Sequence, residues 1–189
     1  MHPKSKYTTR KIVLSALMAA LTVAGSAIRV TMPIDIGGTT SFHLGNIMCA
    51  LAGILLGPWY GGMAAGIGSA IYDMFNPLYI SECWITFLFK GIYGMCAGLV
   101  IRCGKKEWGY IHSILASAAG AVSYAALYLL KSYFYSGRLM SGLSHEAAMI
   151  TIWTKIPATV FNAAVAVIFA PILAIAIRTA LKKSHLRLE

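Results

Sequence analysis

The segment IMCALAGILLGPWYGG, residues 47–62, is an apolar run that breaks at a Gly-Pro pair followed by two aromatic residues and two glycines. Similar long runs recur along the 189-residue chain, in which 58% of the residues are hydrophobic and 12% are charged. Soluble domains have about 45–50% apolar and about 25% charged residues. Because the runs are continuous and do not alternate between apolar and polar residues, they favour membrane-spanning helices over a β-barrel. We therefore predict an all-α integral membrane protein in which residues 1–189 form a single domain.

The breaks between the apolar runs divide the chain into six predicted transmembrane helices. Gly and Pro residues, capping hydroxyl residues and charges mark these breaks. Ser81 and Ser144 are suited to cap the fourth and sixth helices. The predicted helices cover residues 9–31, 40–57, 60–76, 82–102, 109–134 and 146–181.

The net charge of +10 is concentrated in three clusters. With six spans all three lie on one face of the membrane, as the positive-inside rule requires, so both termini are predicted to be cytoplasmic. Residues 1–8 and 182–189 then form basic tails, and the charge indicates a membrane partner and no nucleic acid. The clusters are Lys4, Lys6, Arg10 and Lys11; Arg102, Lys105 and Lys106; and Arg178, Lys182, Lys183 and Arg187.

The polar stretch GGTTSFHLGN, residues 37–46, directly precedes the apolar segment 47–62. A helix from Leu44 to Gly57 would extend only about 21 Å, against a hydrocarbon core of about 30 Å. We therefore predict that this stretch forms the outer end of helix 2, where polar groups persist only if they line a cavity or are buried in protein. His43 and Asn46 are its candidate contacts with a ligand, and its glycines would let the preceding loop fold over the cavity.

Polar side chains inside or at the outer edge of the predicted spans suggest one chamber. Lys90 and Lys155 would both lie about 12 Å inside the outer face, and charges at such depth need partners or a ligand. Structural alternatives remain for Asp73 and Glu82, which could serve helix ends, and for His43, which could be a satisfied buried histidine. The candidate set is His43, Asn46, Asp73, Asn76, Glu82, Lys90, Lys155 and Asn162.

Aromatic residues in the outer halves or middles of predicted helices 4 to 6 would suit a pocket for a planar heterocycle. An interfacial aromatic belt is the alternative for each of them. These residues are Trp84, Tyr93, Tyr124, Tyr128 and Trp153.

Small residues recur every fourth position, which lets helices approach closely. For the glycines this predicts packing within the bundle. Ala16, Ala20 and Ala24 on helix 1 could either pack internally or dock a partner membrane protein.

Motifs for catalysis, metal binding or nucleotide binding are missing from the sequence. It has no P-loop, no HExxH and no GxSxG, and its four cysteines form no CxxC pair. We therefore expect a protein that is not an enzyme and that has no cofactor, no metal site and no means of energising transport by itself. A small integral-membrane enzyme acting on a lipid or isoprenoid through Lys and His, or an assembly subunit, remains an alternative.

The start TTRKIVLSALMAALTVA, residues 8–24, and the block LAGILLGPWYGGMAAGIGSAIYDMFNP, residues 51–77, resemble the S components of energy-coupling factor (ECF) vitamin transporters. The resemblance is strongest over residues 8–104. It implies a multi-pass protein of the bacterial cell membrane that captures a vitamin or precursor from outside. It also implies association with a transmembrane coupling subunit and two cytoplasmic ATPases.

The family's AxxxA docking motif maps onto Ala16 and Ala20, and Ala24 extends it. The family's site is walled by helices 4 to 6 and capped by the loop between helices 1 and 2, which implies a binding role for the stretch 35–46, including Asp35. The lysines suit an anionic or carbonyl-rich ligand, whereas the acids and aromatics suit a neutral or cationic pyrimidine or pyridine. A small B vitamin or precursor with one aromatic ring is favoured.

Overall fold

The computed structural model describes residues 4–34, 38–103 and 109–183. Within these ranges, five helices are long and apolar enough to cross a membrane. This confirms the prediction of a helical membrane protein. The helices are α1 (Lys4–Ala27), α2 (Gly45–Met74), α3 (Cys83–Cys103), α4 (Tyr110–Lys131) and α5 (His145–Lys183).

The helix α2 corresponds to predicted helices 2 and 3, and it contains a sharp reversal. Gly57 has a positive φ of 79° and a ψ of −175°, which interrupts the helical backbone and suits glycine. Cys49 Sγ lies 3.6 Å from Ser69 Oγ, although a straight helix would separate positions 20 residues apart by about 30 Å. The chain therefore folds back at the Gly57-Pro58 break, as the sequence predicts for this turn.

The break leaves the carbonyl of Ile54 without its usual helical donor, because Pro58 has no N–H group. The guanidinium of Arg178, near the end of α5, donates a hydrogen bond of 2.8 Å to this carbonyl. The end of α5 is thereby joined to the reversal in α2.

Glycines allow α2 and α3 to pack with their backbones nearly touching. A methyl group added at Gly98 would lie 2.7 Å from Cα of Pro58, and one added at Gly94 would lie 2.9 Å from the carbonyl oxygen of Gly61. Both distances are shorter than van der Waals contact, so these positions require glycine for packing within the bundle, as expected from the small-residue spacing.

Residues 38–43 do not form the outer end of a helix, so that prediction is wrong. Strand β1 (Arg29–Ile34) pairs with the antiparallel strand β2 (Gly38–His43) in a hairpin, with Arg29 opposite His43. Helix α1 ends at Ala27 and not near residue 31. The β-branched and aromatic residues of these two segments favour extended backbone, which the apolar composition alone did not reveal.

The chain between α2 and α5 adds two short segments. A 3₁₀ turn, Ile80–Glu82, leads into α3. A π-helical segment, Ser132–Met140, directly follows the α-helical part of α4. The predicted cap of the last helix is confirmed, because the Ser144 hydroxyl accepts a 3.3 Å hydrogen bond from the amide of Ala147.

Candidate functional site

A cavity of about 460 Å³ lies between the β-hairpin, α2, α3, α4 and α5. Its walls come from the hairpin, both arms of α2, the first half of α3, the last turns of α4 with the π-helical segment, and the first half of α5. Many residues predicted to bind a ligand share this one cavity: His43, Asn46, Asp73, Glu82, Lys90, Tyr124, Tyr128, Lys155 and Asn162.

Other predicted residues are not part of the cavity wall. Trp84 and Trp153 lie on the outer surface of the bundle, 56% and 67% exposed, which is the position of aromatics that face lipid. Tyr93 is fully buried behind Tyr124. Asn76 donates a hydrogen bond to the hydroxyl of Tyr72 and accepts one from the amide of Leu78.

Asp35 lies outside the described residues.

Tyr124 and Tyr128 line one side of the cavity, and Tyr93 supports Tyr124 from behind. The rings of Tyr93 and Tyr124 are 5.9 Å apart with an interplanar angle of 27°, and those of Tyr124 and Tyr128 are 5.9 Å apart at 19°. Their spacing along α3 and α4 places three nearly parallel rings in a row. Tyr124 and Tyr128 thereby give the cavity an aromatic side against which a planar ligand can pack.

Two buried lysines lie beside these rings. The Lys90 ammonium is 4.0 Å from the centre of the Tyr124 ring and donates a hydrogen bond to Asn46 Oδ1. The Lys155 ammonium is 5.7 Å from the centre of the Tyr128 ring and donates a long hydrogen bond of 3.4 Å to the Ser132 hydroxyl. Cation–π attraction stabilises both positions but leaves further ammonium N–H groups available.

Sequence reasoning did not assign Arg29 to the site. Its guanidinium lies between the rings of Tyr72 and Tyr79, 4.6 Å from each ring centre. Arg29 lines the cavity, and its buried Nε has no hydrogen-bond partner. In the sequence, Arg29 is only a charge near the end of predicted helix 1. No local sequence pattern indicates the hairpin register that turns it toward the cavity.

Lys131 and Tyr79 are further cavity residues that the sequence did not single out. Lys131 forms a 2.5 Å ion pair with Glu82, which joins the end of α4 to the start of α3. The Tyr79 hydroxyl lies 2.8 Å from the Ser41 hydroxyl, so the loop after α2 contacts the hairpin.

Asn162 attaches the hairpin to α5. Its Nδ2 donates a 2.7 Å hydrogen bond to the carbonyl of Ser41, and its Oδ1 accepts a 3.0 Å bond from the amide of His43. The amide side chain thereby supplies the two partners that another strand would supply. Phe42 adds an edge-to-face contact with Phe161 at 5.0 Å, so β2 rests on α5 over the cavity.

His43 is neutral in this setting. Burial, followed by the positive charges of Lys90 and Arg29, lowers the pKa of His43 well below its usual value. Its Nδ1 is buried and has no hydrogen-bond partner. A neutral imidazole in the cavity wall can donate one hydrogen bond and accept another.

Together these groups can bind a small polar molecule with a flat ring. The wall combines ring faces with ammonium, guanidinium, carboxylate and hydroxyl groups, as ligand pockets do. In the described part of the chain, no group of three or more His, Cys, Asp or Glu side chains could hold a metal ion.

Comparisons with known proteins agree with this architecture. A family model described as "ECF-type riboflavin transporter, S component" matches residues 6–179. The S-component for biotin from an ECF-type ABC transporter has a similar fold, with a TM-score of 0.59 and 17% identity over 92% of this chain and 94% of that chain. A protein from Pyrococcus woesei, described as an uncharacterized protein in the gap 3′ region, is 30% identical over 118 residues, 62% of this chain and 74% of that protein.

The family match covers most of the chain, and the fold agrees with that of another S component. The matched family and the protein of similar fold are transport components and not enzymes. This confirms the resemblance to S components and the expectation that the protein is not an enzyme. The chain therefore belongs to the S-component family of ECF-type transporters, whose members are membrane-embedded, substrate-binding subunits for vitamin transport.

Proposed function

We propose that this S component captures a B vitamin or vitamin precursor with a planar aromatic ring from the outer side of a bacterial cell membrane. The observation that carries the proposal is the wall of stacked Tyr124 and Tyr128 beside buried ammonium groups in a cavity of about 460 Å³. This volume lies within the usual range for small-molecule pockets, about 300–1,000 Å³. The hairpin lies over the bound molecule, held by Asn162.

We further propose six membrane crossings with both termini in the cytoplasm. The reversal at Gly57 supports this count, because each arm of α2 can cross separately. Arg178 contacts the residues before this reversal, and Arg102 lies against Gly57. Basic ends of α3 and α5 are thus grouped with the turn at one end of the bundle, and the positive-inside rule assigns that end to the cytoplasm.

The coupling partner in this proposal binds α1. Ala16, Ala20 and Ala24 are all exposed, whereas Met18 and Thr22 on the other face of α1 are buried in the bundle. A flat strip of small side chains lets another helix approach closely. The partner we propose is a transmembrane coupling subunit that works with two cytoplasmic ATPases.

The test separates binding from transport in one set of variants. Ala16→Leu combined with Ala20→Leu should abolish vitamin uptake in cells that express the coupling module, because the bulky side chains block helix contact. Binding to the purified variant should be unchanged, since neither alanine lines the cavity and both are exposed on the outer face of α1.

The matched control is Ala126→Leu, which changes an exposed alanine on α4 and should retain both binding and uptake. Tyr124→Ala should lose both, because it removes the centre of the stacked wall. Normal uptake in the Ala16 and Ala20 double variant would refute the docking surface. Full binding in Tyr124→Ala would refute the proposed ligand chamber.

A further inference from the structure

In the part of the chain that the structure describes, the cavity wall of this S component carries more positive than negative groups. Four cationic side chains line it, Arg29, Lys90, Lys131 and Lys155, against the carboxylates of Asp73 and Glu82. Among the residues that the structure describes, the one ion pair within 4.0 Å is Lys131 with Glu82.

That pairing leaves three cations facing a single carboxylate. Because His43 is neutral, the described part of the cavity wall carries an excess of two positive charges.

These charges are withdrawn from water. Lys90 and Lys155 are each 4% exposed. Removing an ion from water is costly unless an opposite charge or several hydrogen bonds compensate it. The protein supplies only part of that compensation.

Within residues 4–34, 38–103 and 109–183, the available donors also have few acceptors. Lys155 has the long 3.4 Å contact to Ser132 and the Tyr128 ring. Arg29 contacts the rings of Tyr72 and Tyr79, and its Nε is buried without a hydrogen-bond partner. Tyrosine rings stabilise cations but cannot replace the hydrogen bonds of an anion.

We propose that the molecule bound in this chamber is an organic anion, a planar ring that carries a carboxylate or a phosphate, and that Lys155 and Arg29 select for its acidic group. The ring stacks on the Tyr124–Tyr128 wall, and the acidic group supplies the acceptors and the negative charge that the cavity lacks. This inference rests on the proposed function, because it specifies the charge of the ligand in the same site.

The experiment compares probes that differ by one acidic group. Isothermal titration of the purified full-length protein would use nicotinate against nicotinamide, biotin against its methyl ester, and riboflavin 5′-phosphate against riboflavin. We expect the anion of at least one pair to bind at least tenfold more tightly than its neutral partner, a difference of about 1.4 kcal/mol. A preference confined to the phosphate pair identifies a phosphate ligand, and one confined to the other pairs identifies a carboxylate.

Variants then assign the preference to the proposed residues. Lys155→Met and Arg29→Gln should each reduce the preference for the anion, whereas Lys155→Arg should retain it, because the charge remains. Lys182→Met, an identical change at an exposed lysine near the end of α5, should leave the preference intact.

If Lys155→Met fails to fold, the comparison of the probe pairs on the wild-type protein still decides the question. Equal or tighter binding of the neutral members overturns the anion proposal and leaves the vitamin-binding function standing. Failure of every probe and every B vitamin to bind overturns the proposed function, and this inference with it.

Discussion

Asn162 provides a sharp test of how the hairpin is held over the chamber. Replacing it with leucine keeps a similar volume but removes the hydrogen bonds to the Ser41 carbonyl and the His43 amide. Each bond contributes about 1 kcal/mol net. The variant should therefore destabilise the closed hairpin by about 2 kcal/mol, which raises the ratio of open to closed states about 30-fold.

Hydrogen exchange of the protein in lipid nanodiscs measures this directly. Peptides that cover residues 38–46 should exchange up to about 30-fold faster in Asn162→Leu, while α3 peptides exchange as in the wild type. Bound ligand should also dissociate faster, because the open hairpin exposes the chamber. Asn162→Asp should not restore protection, since it replaces the donor facing the Ser41 carbonyl with a second acceptor.

Asn76→Leu is the matched control, because within the described residues the side chain of Asn76 bonds to its neighbours Tyr72 and Leu78 and not to the hairpin. It should leave the exchange of residues 38–46 unchanged. If Asn162→Leu also leaves hairpin exchange unchanged, the two side-chain bonds do not hold the hairpin and this reasoning is refuted.

Two other predictions concern packing and pH. Gly98→Ala should lower the stability of the detergent-solubilised protein by about 1–3 kcal/mol, because the added methyl collides with the backbone of Pro58. Gly91→Ala should lower the stability much less, because its methyl would meet the Gly62 carbonyl at an ordinary 3.7 Å. Equal melting temperatures for the two variants would contradict the packing argument. Because the pKa of His43 is lowered by burial, the unfolded chain binds a proton below about pH 6.5 that the folded protein excludes. The stability from His43 is therefore fully present above about pH 6.5 and is lost as the pH falls below it. Thermal unfolding at neutral and acidic pH should show a smaller acid loss in His43→Gln than in the wild type, and identical losses would remove His43 from this role.

The sequence predicted the features that depend on composition and on strong breaks. Apolar runs identified the membrane helices, and Gly57-Pro58 identified the reversal between the two arms of α2. Lys90 and Lys155 were recognisable because a charge within an apolar run is costly, and both lie in the cavity wall.

The features that depend on orientation and tertiary contact were less accessible. Residues 38–43 were short and polar enough to be interpreted as a cavity-facing helix end, but pairing with residues 29–34 makes them a strand. Trp84 and Trp153 are aromatic residues in the same parts of the predicted helices as the pocket tyrosines, yet they face outward. Arg29 entered the site only through the hairpin and the rings of Tyr72 and Tyr79, which no local pattern signals.

Native mass spectrometry of the gently purified protein tests the central claim most directly. The account predicts one vitamin-sized aromatic molecule bound per chain, which Tyr124→Ala no longer retains because the stacked wall is broken. A wild-type protein that carries no such molecule, and that takes up none when mixed with the B vitamins, would contradict the account.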